Sequence, residues 1–546
     1  MAIQMQVNKA LQYSIALIGL LLLAFFYLWM GSINSYAGYI SDSHYYLFLA
    51  DFFAGGGKDN SDLESFIAQI TQFPPLYSYA LGLFGGGIDS IERAHQINNA
   101  YFAAGFMVLF YWLHAQGIKP LAALTLILVV ALNHQQLFYS AEILSGSQYF
   151  LFSVLIIILL DDAKSKERLL LASALIGFSI LSRTIGIAFL LPLLVQVIRS
   201  PTNWFRKCFM LILALLPALS WKIVQGLYLS NSVVPRTGYG DYLGAFYADP
   251  TIQTVITIVT ANLTALIYSW SVYLSGLPSI LHLAIASVLG FAVLVCWILR
   301  LRRFDPLALY LLGYFGIVML WPYPGHMNRF LAPVFPFLLS MLVLDSGRWQ
   351  FFEKKIAAQI LLLGTIVIAV LPASSTVVQR ILTQPEDEHA ENDHIKYRMS
   401  TAWLREESIE DANQYLELLH IRETAAKFIN QHVGESDCVY AVLPSDVMVH
   451  TRRWTVRLVG HARPASEFNP AALSVCDYIF MVDGIDVDNV PAKLFPYEIM
   501  REQLEPVFMS ETERDGQSVV VAMLAKIIRE EEHSEVGEAE NQELVP

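Results

Sequence analysis

Charge is what this sequence has least of. Only 15% of its 546 residues are Asp, Glu, Lys or Arg, against about 25% in soluble globular chains. The bases are the scarcer sign, 35 Lys and Arg against 48 Asp and Glu, and they form no basic stripe of the kind nucleic-acid binding needs. Nucleic-acid partners are therefore excluded. Four cysteines make no metal-ligand spacing. Cys208 and Cys296 lie in or beside apolar runs, whereas Cys438 and Cys476 lie in a late region of soluble composition, where a disulfide and a pair of buried thiols are both open. No internal repeat is present. The net charge of −13 comes in large part from two late segments, PEDEHAENDH (385–394) and REEEHSEVGEAENQE (529–543). The second is acidic and poor in apolar residues, which predicts a disordered tail over 529–546.

What the chain has instead is apolar runs. Residues of hydrophobic type make up 55% of it, gathered at 11–30, 97–113, 120–137, 148–160, 169–198, 208–221, 278–299, 306–321, 330–344 and 356–372. A bilayer crossing takes about 20 apolar residues. The 26 Tyr, 10 Trp and 32 Phe suit interfacial anchoring. The first run is too long for a signal peptide and lacks a small-residue cleavage site, so it reads as an uncleaved span.

Lys and Arg are retained on the cytoplasmic side. The basic loops at Lys119, Lys164/Lys166/Arg168, Arg199/Arg206/Lys207, Arg300/Arg302/Arg303 and Arg348/Lys354/Lys355 all fall on that side only if the run 169–198 crosses twice. One helix of that length would measure about 45 Å. Its only charge, Arg183, marks the break. The result is a polytopic α-helical membrane protein of about eleven spans in a cell (cytoplasmic, inner) membrane, with the N-terminus inside. The expected units are a membrane module over 1–372 and a small extracytoplasmic α/β domain over 373–528. In the latter, 420–433 has helical spacing, while 437–443, 477–483 and 518–524 read as buried strands.

This topology gathers the segments 31–93, 138–147, the turn at Arg183, 222–277 and 322–329 on the outer face. The first begins SDSHYYLFLADFF (41–53) and continues QFPPLYSYALGLFGGG (72–87). Pro74 and Pro75 start a helix and Gly85–Gly87 end it. Both segments read as amphipathic helices lying in the interface. Asp42, His44 and Tyr45 open the first of them. Taken alone, Asp42 reads as a helix N-cap, and Glu142, just before the next span, as a carboxylate favoured by a helix dipole. Together they are the two acids at the outer mouth that abut apolar helices. Arg183, and with it His326 and Arg329 of WPYPGHMNRFLAPVFPFLL (321–339), are cations at the same surface. They suit lipid headgroups or the bidentate grip of a phosphate.

The strings DSHYYLFLA, FPPLYSYALGLFGG, YSAEILSGSQYFLFSVLIIILL, LSRTIGIAFLLPLLV and NRFLAPVFPFLL follow one another over roughly residues 10–345. In that order and topology they resemble the GT-C class of membrane glycosyltransferases, in particular the protein O-mannosyltransferase and lipid A aminoarabinose transferase-like family. The resemblance implies a polyprenyl-phosphate sugar donor, a glycan, lipid or protein acceptor, and an acid of the first outer loop as catalytic centre. That acid is Asp42 here. Many relatives have two adjacent acids at this point, and this chain has Asp42-Ser43. Glu142 matches the acidic position of the second outer loop, expected to orient the acceptor. Arg183 and Arg329 match positions near the carrier phosphate, and His326, His44 and Tyr45 are further candidate donor contacts. No cofactor is required by the resemblance. A divalent metal is used by some GT-C enzymes, and Asp42, Glu142 and His326 are the candidate ligands. The competing classes are a flippase or transporter for a lipid-linked glycan, which often shows paired repeats, and a membrane-anchored scaffold, which does not need so many spans.

Overall fold

A computed structural model describes residues 2–38, 41–56, 73–161, 165–229, 251–275, 280–346 and 355–382, and in the later part 424, 426–434, 437–441, 447, 451, 455–457, 476–482, 503–514 and 517–528. The expected acidic tail over 529–546 lies outside the described residues. The chain divides into two compact units, Met1–Glu406 and Glu407–Pro546.

The first unit is a helical bundle. Among the described residues, five helices are long and apolar enough to cross a membrane: Ala10–Ser32, Trp204–Val224, Ile252–Leu274, Ile280–Leu301 and Gln359–Leu382. The number rises to seven if two bent pairs each count as one span, Pro120–Ala131 with His134–Ser140 (bent by 64°) and Pro324–Leu331 with Phe335–Ser346 (56°). Shorter apolar helices run over Gly146–Asp161, Thr184–Arg199 and Pro306–Val318. The protein is thus an integral membrane protein. Its surface agrees: Leu17, Leu22, Phe25, Ile212, Ile267 and Phe291 are exposed apolar side chains, as a hydrocarbon solvent demands.

Local chemistry explains most helix ends. Pro75, Pro120 and Pro306 each occupy the first helical turn, where a missing N–H costs nothing. The side chain of Asp305 accepts from Ala308 N at 3.2 Å. The long run 169–198 is broken at Arg183: the helix Lys166–Ser182 stops, Arg183 is extended (φ −153°, ψ 126°), and a 3-10 turn Thr184–Phe189 leads into Leu190–Arg199. The helix Ala2–Ser32 meets Ile91–Ala115 so closely at Gly31 that a Cβ there would lie 2.8 Å from the Gln96 backbone.

Two expectations need correction. The stretch 222–277 is not all loop, because Ile252–Ser275 is a helix long enough to cross. Its threonines and asparagine dilute the hydropathy, yet the donors of Thr260, Thr264 and Asn262 all find carbonyl acceptors. Thr260 and Thr264 hydroxyls donate back to Ile256 O and Thr260 O at 2.8 and 3.0 Å, and Asn262 donates to the Met319 and Trp321 carbonyls at 2.9 and 2.6 Å. The helix Ser41–Asp51 is not amphipathic either: Tyr46, Leu47, Phe48, Leu49 and Ala50 are all buried, on every side of the helix. The second such segment, Pro75–Leu83, is one-sided, with Tyr77, Ala80 and Leu81 buried and Tyr79 and Leu83 exposed.

At one end of Pro306–Val318 the bundle is tied by charge. Arg300 forks onto Asp345 (Nε to Oδ2 2.6 Å, Nη2 to Oδ1 3.3 Å) and reaches Asp305 at 2.9 Å. Arg300 and Asp345 are buried, so Arg300→Ala leaves two carboxylates uncompensated. The cost expected for breaking such a pair is about 3–5 kcal/mol, read as a clear drop in unfolding temperature of the detergent-solubilised protein. Arg302→Ala, next to it and exposed, is expected to change little.

The second unit holds a five-stranded sheet in the order β2-β1-β3-β5-β4: β1 Val439–Ala441, β2 Thr455–Arg457, β3 Tyr478–Val482, β4 Leu504–Arg514 and β5 Gln517–Ile527. The first three pair in parallel, while β3, β5 and β4 are antiparallel. Ala426, Ile429 and Val433 pack with Val439, Phe480 and Leu524 into its core. Cys438 and Cys476 form a disulfide at the starts of β1 and β3.

Candidate active site

At the other end of Pro306–Val318, away from Arg300, four segments distant in sequence converge. The helix Ser41–Asp51 carries Asp42 in its first turn. The bent pair through Pro324–Leu331 carries Arg329. Arg183 sits in the break between Ser182 and Thr184, and the helix Gly146–Asp161 begins beside it.

Asp42 is ion-paired with Arg329 through Oδ2 and Nη2. Both side chains keep 21% of their surface exposed, so the pair is held within the fold yet open to an incoming molecule. Arg329 and Arg183 line one small cavity together with Tyr139, Gly146 and Ser147, its apolar side being Phe102 and Leu144. The Arg183 guanidinium lies 5.6 Å from the centre of the Phe330 ring, within reach of a cation–π contact. A Cβ on Gly146 would sit 3.4 Å from Arg183 Nη1, so the guanidinium rests against the first residue of the Gly146–Asp161 helix. Two guanidinium groups thus share one cavity with a helix start, where the helix dipole adds to the side-chain charge and favours an anion.

Glu142 lies elsewhere. It is fully buried, and its Oε2 accepts from the Ser43 hydroxyl at 2.8 Å. Asn98 donates to its backbone carbonyl at 2.9 Å. His44 is also buried and donates from Nε2 to Gly38 O at 3.2 Å. The Tyr45 ring packs against Phe73 at 5.2 Å. His326 accepts from the Trp321 indole N–H at 3.3 Å and stacks with Tyr323 at 5.7 Å. Thus Asp42 meets Arg329, and Arg329 shares a cavity with Arg183, while Glu142 is buried against Ser43 and, on the same helix as Asp42, His44 is buried against Gly38. His326 joins an aromatic cluster whose Phe330 carries Arg183.

Among the described residues no three His, Cys, Asp or Glu side chains are grouped as a metal site. Asp42, Glu142 and His326 therefore do not fit a metal as a set.

Sequence reasoning missed the polar wall. Asn98, in the second turn of the helix Ile91–Ala115, accepts from the hydroxyls of Tyr77 (2.9 Å) and Ser147 (2.6 Å). The signal was there as the pair Asn98-Asn99, polar residues inside the start of the apolar run 97–113.

No protein-family model and no curated protein sequence matches the chain. It is similar to two crystal structures of ArnT from Cupriavidus metallidurans. One, bound to undecaprenyl phosphate, is 12% identical with a TM-score of 0.49, covering 95% of this chain and 97% of that one. The other, in the apo state, is 13% identical with a TM-score of 0.47, covering 96% and 98%.

Proposed function

We propose that this protein is a glycosyltransferase that moves a sugar from a polyprenyl-phosphate carrier to an acceptor hydroxyl at the outer face of the membrane. The observation that carries the reading is the pairing of Asp42 with Arg329, which shares with Arg183 a cavity at a helix N-terminus. An open carboxylate beside an anion site, in a bundle of membrane-crossing helices, matches a substrate with a lipid tail, a phosphate and a reacting carbon next to that phosphate.

The carrier's tail lies in the bilayer and its phosphate meets Arg183 and Arg329. Asp42 accepts the proton of the acceptor hydroxyl as that oxygen attacks the anomeric carbon. The bond from that carbon to the phosphate oxygen breaks, and the phosphate leaves with the electron pair. The two guanidinium groups stabilise its growing charge, which is where most of the protein's contribution lies. One displacement inverts the anomeric centre. The products are the glycosylated acceptor, the free polyprenyl phosphate and protonated Asp42, which returns its proton to water. The Cys438–Cys476 disulfide supports an oxidising compartment for the second unit, in keeping with a site on the outer side.

The test is transfer of label from a panel of radiolabelled polyprenyl-phosphate sugars to a cell-envelope extract by the purified protein, with Asp42→Asn as control. Label reaching an extract component with the native protein alone is the expected result. No transfer from any donor, together with passage of a labelled lipid-linked glycan across proteoliposome bilayers, would replace this reading by a flippase.

A further inference from the structure

The two acids expected at the mouth differ sharply in exposure, and the buried one is bonded to the neighbour of the exposed one. Glu142 and Ser43 are both fully buried, and Ser43 donates to Glu142 Oε2 at 2.8 Å. Three residues further along each segment a second strut repeats the first, the hydroxyls of Tyr46 and Ser145 at 2.7 Å. Residues three apart lie on one face of a helix, so these struts fasten that face of Ser41–Asp51 to the segment 142–145. Successive helical residues diverge by about 100°. Pinning Ser43 therefore fixes the rotation of the first turn, and with it the direction of the Asp42 carboxylate.

The far end of the strut is anchored. Asn98 donates to the carbonyls of Glu142 and Ser140 at 2.9 and 3.3 Å, and Asn34 to that of Ala141 at 3.0 Å. Gly38 closes over the pair. Its φ of +116° suits glycine, and a Cβ there would fall 2.6 Å from Glu142 Oε2 and 2.7 Å from Ser43 Oγ.

We infer that Glu142 is a positioning residue: it holds Asp42 in place through Ser43 and touches neither acceptor nor metal. The inference rests on the reading of Asp42 as the base. It gives Ser43, which stands where relatives have a second acid, a role of its own, with the carboxylate supplied from a second segment.

The experiment is transfer kinetics, with donor and acceptor varied separately, for Ser43→Ala, Ser43→Thr, Glu142→Ala, Glu142→Gln and the double variant Ser43→Ala/Glu142→Ala. A reacting group displaced by about 1 Å loses about 10²-fold in rate. Ser43→Ala and Glu142→Ala are each expected to lower kcat by a factor of that order, with both KM values unchanged and the double variant no worse than either single one. Ser43→Thr keeps the hydroxyl and Glu142→Gln keeps an accepting oxygen, so both are expected to recover most of kcat. A raised acceptor KM in the Glu142 variants, or a normal kcat in Ser43→Ala, overturns the inference. Should Glu142→Ala fail to fold, Ser43→Ala and Glu142→Gln decide alone. Failure of the underlying reading looks different, since Asp42→Asn would then transfer sugar at the native rate.

Discussion

Asp42→Asn is expected to lower sugar transfer by about 10²–10⁴-fold, the usual worth of a positioned general base, while leaving the protein folded and able to bind donor. The asparagine has nearly the shape of the carboxylate and retains an oxygen that accepts from Arg329. The link from Ser41–Asp51 to Met327–Leu331 is thereby weakened but kept. What it loses is the capacity to take up a proton. The loss should fall on kcat, because donor binding depends on the guanidinium groups and not on Asp42. Asp42→Glu separates base chemistry from placement. It keeps the charge but carries the carboxylate one methylene further, so it is expected to fall between the native protein and Asp42→Asn. Steady-state transfer with a labelled donor measures all three, and a rate in Asp42→Asn equal to the native one removes Asp42 from the mechanism.

The parts of this molecule that were legible in the sequence are those that rest on local chemistry. A lone arginine in the middle of a long apolar run cannot be buried in lipid without penalty, and the chain does break at Arg183. The pair Pro74-Pro75 marked a helix start because the missing N–H costs nothing in a first turn. What stayed hidden depends on partners far along the chain. Asp42 and Arg329, 287 residues apart, were each readable as candidates, but nothing in either segment announces the pair. Ser43 and Glu142 are 99 residues apart, so the buried role of Glu142 was masked by its position next to an apolar helix. The helix Ile252–Ser275 was hidden for a related reason. Hydropathy counts Thr260, Thr264 and Asn262 as polar, whereas in the bundle each donates its hydrogen to a backbone carbonyl. In the second unit, β4 was lost because Glu505, Pro506, Glu511 and Glu513 break its apolar pattern, although it pairs with β5 along most of its length.

Removing both guanidinium groups is the change expected to act on the donor. A hydrogen bond to a charged group contributes about 1.5–3 kcal/mol, which is about 10–150-fold per arginine at 1.4 kcal/mol for each factor of ten. Arg183→Gln and Arg329→Gln are each expected to raise donor KM or lower kcat within that range, and together they should exceed either alone. The two sites will not behave alike. Arg183 lies over the Phe330 ring and is in no ion pair among the described residues, so its loss is expected to act through phosphate contact alone. Arg329 also holds Asp42. Arg329→Gln should therefore reduce kcat further than Arg183→Gln, and the deficit should shrink in an Asp42→Asn background, where there is no base left to misplace. Lysine tests geometry against charge. It restores a cation but neither the planar fork nor the stacking on an aromatic ring. Arg183→Lys is expected to recover only part of the donor affinity. The measurement is the donor dependence of transfer at saturating acceptor, run beside binding of unlabelled polyprenyl phosphate. If Arg183→Gln and Arg329→Gln bind polyprenyl phosphate as the native protein does, the cavity they line is not where the carrier's phosphate sits.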